Sequence, residues 1–143
     1  MKTTWNKEPK IKLETNTSIR KLTLKADRIF SKYIRLRGAD SNGMVKCFTC
    51  GKILYWMESD CGHFCKRQHK KTRYSEVNCQ VQCKTCNWLM QGNDIEFYAR
   101  LSKKYGQNVI DLLRSQKGGK ITAFELNVII DHYSKEVDNL LNK

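Results

Sequence analysis

Apolar residues recur at helical spacing along the first long segment of the chain, and the opposite side of that helix carries lysine and arginine. Its apolar stripe consists of Leu22, Ala26, Ile29, Phe30 and Tyr33. Thr17 or Ser18 is suited to cap the helix, which the pattern extends to about Arg37. The turn-forming residues 38–43 then end it.

The middle of the chain has short apolar segments separated by turns. Residues 44–48 and 53–57 predict two strands on either side of a first C-x-x-C pair. Residues 58–64 and 78–82 predict two more short segments, joined by a polar loop. A second C-x-x-C follows at once, and Asn87 begins or continues a helix after it.

The remainder of the chain predicts helices. Capping boxes are indicated at Asn93 with Glu96 and at Thr122 with Glu125. Gly106 is a natural stop for the first of these helices, a short helix covers about 108–115, and the last helix runs to about Leu141. Its apolar face comprises Phe124, Val128, Ile129, Tyr133 and Val137. This face could supply a dimer interface or close the core.

The length of 143 residues fits one domain. We interpret residues 1–16 as a flexible basic arm and residues 17–143 as a single domain. Within it, the core covers residues 44–105 and the C-terminal helices cover residues 107–143. Trp56, Trp88 and Tyr98 are expected in the core, because large aromatic residues are usually buried.

The hydropathy of the chain argues against a membrane protein. The longest apolar run, residues 53–57, is far too short to cross a bilayer. Residues 1–12 lack the apolar stretch of a signal peptide, so we expect a cytoplasmic location and no membrane partner. In a reducing cytoplasm, seven cysteines indicate metal binding rather than disulfides.

The formal net charge of +13 favours a polyanionic partner, most simply DNA. Residues 1–37 hold eleven basic residues against three acids. A second basic cluster consists of Lys66, Arg67, Lys70, Lys71 and Arg73. We expect this cluster to bind DNA, with Arg67 and Arg73 clamping phosphate oxygens through their planar guanidinium groups. Plain surface charge and a membrane-surface patch are the alternatives.

Four of the seven cysteines form two matched pairs: Cys47 with Cys50, and Cys83 with Cys86. Two C-x-x-C pairs supply the four soft ligands that structural zinc prefers, so we predict a zinc clamp. The other cysteines are Cys61, Cys65 and Cys79. They are expected to be small buried residues, and a second zinc site that uses them with a histidine stays open.

The span between the two cysteine pairs holds the components of a phosphodiesterase. His63 is a candidate general base for activating water. Asp60 and Asn87 offer oxygen ligands for Mg²⁺ or Mn²⁺, which would neutralise phosphate charge. Asn78 can hydrogen-bond the backbone across a hairpin and fix the loop that presents His63. We therefore predict His63, Asn78 and Asp60 as catalytic residues.

Four segments together resemble the phage recombination protein family called NinG or Rap: residues 60–64 (DCGHF), 72–74 (TRY), Asn78 and 82–87 (QCKTCN). They are similar, more distantly, to the zinc-containing HNH (His-Me finger) nucleases, including the phage endonuclease VII type. The resemblance covers roughly residues 22–105.

The resemblance implies an α+β fold, with a zinc-stapled ββα-metal (His-Me finger) core flanked by N-terminal and C-terminal helices. It also implies a structure-specific endonuclease for branched DNA such as Holliday junctions and D-loops. His63 would be the base and Asn87 a metal ligand. Many HNH enzymes place a metal-binding residue directly before the base, where this chain has Gly62, so Asp60 is the substitute.

Symmetric cutting of a junction suggests a homodimer, and a phage or host recombinase is a further candidate partner. Two other functions are compatible with the same sequence. One is a non-enzymatic zinc-ribbon module that binds DNA and needs neither His63 nor a second metal. The other is an HNH nuclease that acts on linear duplex DNA.

Overall fold

The structure is a computed structural model that describes residues 16–143. Its helices are α1 (Asn16–Leu36), α2 (Asp94–Tyr105), α3 (Gln107–Ser115) and α4 (Ala123–Leu141). Its strands are β1 (Met44–Lys46), β2 (Ile53–Tyr55), β3 (Asp60–His63) and β4 (Cys79–Gln82). The predicted basic arm lies outside the described residues, apart from Asn16, which belongs to α1.

Helix α1 packs against α4, as the apolar stripe of α1 requires. Ala26 of α1 and Leu126 of α4 are fully buried in one cluster with Ile130. The predicted capping box of α4 is confirmed, since the Thr122 hydroxyl accepts a hydrogen bond from the Glu125 amide, and the Glu125 carboxylate accepts one from the Thr122 amide.

The apolar face predicted for α4 divides between the core and the surface. Tyr133 and Val137 are buried and Ile129 is partly buried, but Phe124 and Val128 are 77% and 51% exposed. Closing the core therefore accounts for only part of this face.

The four strands form two antiparallel hairpins. Strands β1 and β2 pair with Val45 opposite Leu54, around the first cysteine pair. Strands β3 and β4 pair with Asp60 opposite Gln82 and with His63 opposite Cys79. The α+β prediction is confirmed at the level of mixed helices and small sheets.

A π-helical turn, Thr85–Leu89, follows the second cysteine pair and leads toward α2. The predicted capping box at the start of α2 is wrong, because Asn93 has a left-handed backbone (φ 50°) and makes no capping bond. Its side-chain amide lies instead 3.6 Å from the Cys86 sulfur. Gly106 ends α2 as predicted, with a φ of 87°.

The aromatic residues expected in the core are only partly there. Trp56 is half-buried against the β1–β2 hairpin, and Tyr98 is half-buried beside Phe97. The expectation for Trp88 is wrong, since 74% of this residue is exposed next to Leu89, which is 82% exposed. Within residues 16–143, no helix has the length and hydropathy needed to cross a membrane.

Candidate active site

The four paired cysteines converge at one point between the two hairpins. The sulfur atoms of Cys47, Cys50, Cys83 and Cys86 all lie within 4.8 Å of one another. The Cys50 and Cys83 sulfurs are 3.7 Å apart, close to the roughly 3.8 Å edge of a tetrahedron with zinc–sulfur bonds of about 2.3 Å. The set can therefore hold a metal ion such as zinc.

The surroundings of the Cys47 sulfur favour a thiolate, whereas burial and hydrogen bonds with neighbouring cysteine sulfurs raise the pKa of the Cys50 and Cys83 thiols. The Cys86 amide donates to the Cys83 sulfur at 3.5 Å. Burial raises the pKa of the Cys47 thiol, but hydrogen bonds from neighbouring backbone groups and from the Thr49 hydroxyl outweigh burial and lower it to about 6. A thiolate is the form that binds a metal ion, so Cys47 is the clamp residue best prepared to bind one.

His63 ends strand β3, and one of its ring nitrogens is held by the backbone. Nε2 lies 3.0 Å from the main-chain oxygen of Arg73, an acceptor, so Nε2 donates its proton and Nδ1 is left as the free acceptor. Burial lowers the pKa of His63, the bond to the Arg73 oxygen raises it in part, and the cations of Arg67 and Arg73 lower it. The imidazole is consequently neutral at neutral pH, as a base must be.

Asn78 is fully buried and holds the loop around His63. Its Oδ1 accepts from the Cys65 amide at 2.7 Å, and its Nδ2 donates to the carbonyl oxygens of Cys65 and Thr72, each at 3.0 Å. These bonds tie the start and the middle of the loop between β3 and β4 to the residue that precedes β4. Asn78 thus fixes the acceptor that orients His63 without itself facing the cleft.

Asp60 and Asn87 are in contact. The side-chain amide nitrogen of Asn87 donates to Oδ2 of Asp60 at 3.2 Å. This bond leaves Oδ1 of Asp60 and the side-chain oxygen of Asn87 free. Both residues line the same cleft of about 680 Å³ as His63. Oxygen atoms of this kind are the donors that Mg²⁺ and Mn²⁺ prefer.

Gly62 has no room for a side chain. A Cβ atom placed there would overlap the Gln82 amide, lying 2.6 Å from its Cδ. Gln82 is fully buried, and its Nε2 donates to Thr49 and to the Gly92 carbonyl. A side chain at the position directly before His63 would therefore collide with Gln82.

An ion pair that the sequence did not reveal supports the loop. The Arg73 guanidinium forms a two-pronged bond with the Asp27 carboxylate of α1, and the Tyr74 hydroxyl donates to the same carboxylate at 2.9 Å. Burial would raise the pKa of Asp27, but the bonds from Arg73 and Tyr74 outweigh it and hold the pKa below its usual value. The only sequence signal was an acid beside Ala26 in an otherwise basic helix.

The five basic residues predicted to bind DNA occupy different places. Lys66 and Arg67 are exposed and line the cleft with His63. Lys66 also pairs with Asp94 at 2.9 Å. Arg73 is occupied by Asp27, whereas Lys70 and Lys71 border a separate groove beside α4. Contact between these residues and DNA stays a prediction.

These features define a basic α+β protein with a four-cysteine cluster that could hold a metal ion and a polar cleft beside it. The chain belongs to the NinG family, because the family profile described as Bacteriophage Lambda NinG protein matches residues 2–143. The family resemblance inferred from the motifs is thereby confirmed.

Individual relatives agree with this membership. Protein ninG of Escherichia phage lambda is 28% identical over 134 residues, which covers 87% of this chain and 63% of the phage protein. Protein ninG of Escherichia phage 933W is also 28% identical, with 64% of its length covered. The chain thus spans just under two thirds of the length of these relatives. No solved structure matches at a significant level.

Proposed function

We propose that this protein is a metal-dependent endonuclease that cuts branched DNA in the cytoplasm of a bacterial host. The observation that carries the proposal is the placement of His63, Asp60 and Asn87 in one cleft, with Nδ1 of His63 free. The order of elements also supports a ββα-metal core, since the β3–β4 hairpin carries His63 and the helical turn after it carries Asn87.

In this mechanism His63 takes a proton from the attacking water at Nδ1. The Arg73 carbonyl holds Nε2–H, so it fixes the ring orientation and stabilises the imidazolium that forms. Asn78 holds the loop that supplies this carbonyl and is a positioning residue.

Asp60 and Asn87 would hold the catalytic ion through their free oxygen atoms. A bound Mg²⁺ or Mn²⁺ would supply charge neutralisation at the scissile phosphate and stabilise the departing oxygen. The contact between the two side chains keeps both donors at one wall of the cleft.

Basic residues would bring the DNA backbone to this cleft. Lys66 and Arg67 stand at its edge, and the exposed face of α1 adds further lysines and arginines. DNA affinity should therefore fall steeply with salt, as counterion release requires. Cutting both strands of a four-way junction calls for a two-fold dimer, for which the exposed Phe124 and Val128 offer contact area.

An exposed aromatic group favours branched DNA over linear duplex. Trp88 directly follows Asn87, lines the cleft and is 74% exposed. An indole at this position can stack on a base that is unpaired at a branch point, whereas bases inside a duplex are already stacked.

The experiment is a cleavage assay with a four-way junction and a linear duplex of the same sequence, each with Mg²⁺, with Mn²⁺ or with EDTA. The proposal predicts metal-dependent nicking of the junction at a higher rate than of the duplex. Binding of the junction without nicking under either metal would favour the non-enzymatic zinc module. Equal cutting of both substrates would favour a nuclease for linear duplex.

A further inference from the structure

A second group of soft metal ligands lies beside the proposed active site. The sulfurs of Cys61 and Cys79 and a ring nitrogen of His63 all lie within 4.8 Å of one another. Among residues 16–143, this group and the four-cysteine clamp are the sets of three or more histidines, cysteines and acids gathered this closely.

Hairpin geometry produces this cluster. Cys61 and His63 are two residues apart on β3, so they project from the same face, and Cys79 is the partner opposite His63 on β4. Cys79 is fully buried, whereas Cys61 and His63 line the cleft. Three ligands at one end of a cleft leave a fourth coordination position open to water or phosphate, as in open zinc sites.

We propose that Cys61, His63 and Cys79 form a second site for a soft divalent ion such as Zn²⁺, and that filling it switches the nuclease off. The inhibitory part rests on the proposed function, since it assumes that His63 is the base. The metal-binding part depends only on the cluster. An ion bound to Nδ1 of His63 would block the atom that accepts the proton from water. An ion bound to Nε2 would break the hydrogen bond that the ring donates to the Arg73 carbonyl.

The metal-free state of the cluster has its own set of bonds. The Arg73 carbonyl accepts from Nε2 of His63 at 3.0 Å and from the Cys79 thiol at 3.5 Å. The Asn78 amide lies 3.9 Å from the Cys79 sulfur. A bound ion must replace the contact of Cys79 with Arg73, so this site is expected to be weaker than the clamp and to empty when free zinc falls.

The first test counts bound metal. The purified chain of 143 residues is dialysed against a micromolar excess of Zn²⁺ and then analysed by plasma mass spectrometry. The wild type is expected to hold two zinc ions per chain, and Cys61→Ser one. Cys65→Ser is the matched control, since Cys65 belongs to neither cluster, and it should hold two. A wild type that stays at one, or a Cys61→Ser variant that reaches two, would overturn the proposal.

A second variant guards against a folding artefact. Cys79→Ser changes a fully buried residue, so its thermal unfolding is measured beside that of Cys61→Ser, which changes a half-buried one. If the wild type binds two zinc ions, one zinc per chain in a folded Cys61→Ser variant supports the site even if Cys79→Ser does not fold.

The third measurement compares cleavage at saturating Mg²⁺ with and without the same zinc excess. Zinc should lower the wild-type rate by about 100-fold or more, the contribution of a general base, and chelation should restore it. The ratio of the two rates should stay near unity for Cys61→Ser. Equal inhibition of both proteins would refute the switch. If no variant cuts DNA at all, the proposed nuclease fails while the zinc count still decides the site.

Discussion

The imidazole of His63 and the main-chain oxygen of Arg73 lie 3.0 Å apart, although ten residues separate them in the chain. The side chain of the same arginine is bound to Asp27 on α1. Helix α1, the loop and the β3–β4 hairpin therefore meet at one residue, whose backbone orients the proposed base and whose guanidinium anchors the loop.

The fall in cleavage rate on the acid side of the pH–rate profile should follow the protonation of His63. Because its pKa is lowered below 6.5, the base stays deprotonated at neutral pH, and the cleavage rate should fall only as pH drops through that lowered value. Arg67→Ala removes one of the cations that lower this pKa, so the acid limb should move to higher pH. The measurement is kcat at saturating DNA between pH 4.5 and about 8.5. Arg100→Ala, on the surface of α2, is the control, and an unmoved limb for Arg67→Ala would contradict the assignment.

Asp27→Asn should destabilise the protein and slow cleavage, because Asp27 anchors the loop through Arg73. The loss of charged hydrogen bonds to Arg73 and Tyr74 should cost about 1.5–3 kcal/mol of unfolding free energy. Because the pKa of Asp27 is depressed, its contribution is present above the unfolded value of 3.8 and is lost as pH falls through the folded one.

The control for this prediction is Asp131→Asn. Asp131 pairs with Lys135 on the surface of α4, and both side chains are about two thirds exposed. Chemical denaturation should give a change below about 0.5 kcal/mol. Equal losses for the two variants would mean that the Asp27–Arg73 pair has no special role.

Gly62→Ala should destabilise the β3–β4 hairpin. The added methyl group meets the Gln82 side chain, whose bonds to Thr49 and Gly92 prevent it from moving aside without loss. We expect a cost of about 1–3 kcal/mol in thermal unfolding. Gly38→Ala is the matched control, because a Cβ there meets nothing within 4 Å. Unchanged stability in Gly62→Ala would refute the packing argument.

Trp88→Ala should weaken junction binding without affecting the fold. A stacked base contributes about 1–3 kcal/mol, so junction affinity should fall at least about fivefold, and affinity for linear duplex should fall less. Leu112→Ala removes an exposed apolar group (57% exposed) from helix α3 and should leave DNA affinity unchanged. Fluorescence anisotropy measures both. Equal losses on junction and duplex would argue against stacking at a branch.

Local patterns predicted most of the secondary structure. Helix α1, helix α3 and the Thr122 capping box follow from residues within a few positions of one another. The cysteine cluster was also predictable, since C-x-x-C spacing brings two sulfurs together within each pair and two such pairs are typical of a zinc site.

The failures involve contacts between distant residues. Asn93 does not cap α2 because its side chain turns to the Cys86 sulfur. The pair of Asp27 with Arg73 joins positions 46 apart and leaves no periodic signal. The apolar character of Trp88 indicated burial, but the π-helical turn points it out of the fold. The contact of Asp60 with Asn87 likewise depends on tertiary packing.

The most direct test of the central claim is single-turnover cleavage of a four-way junction by His63→Ala. Its matched control is His132→Ala, an exposed histidine on α4. Both variants should keep the wild-type circular dichroism spectrum, and His132→Ala should also keep the wild-type zinc content. The account predicts that His63→Ala is slower by about 10²–10⁴-fold and that His132→Ala keeps the wild-type rate. Cleavage by His63→Ala at the wild-type rate would contradict it.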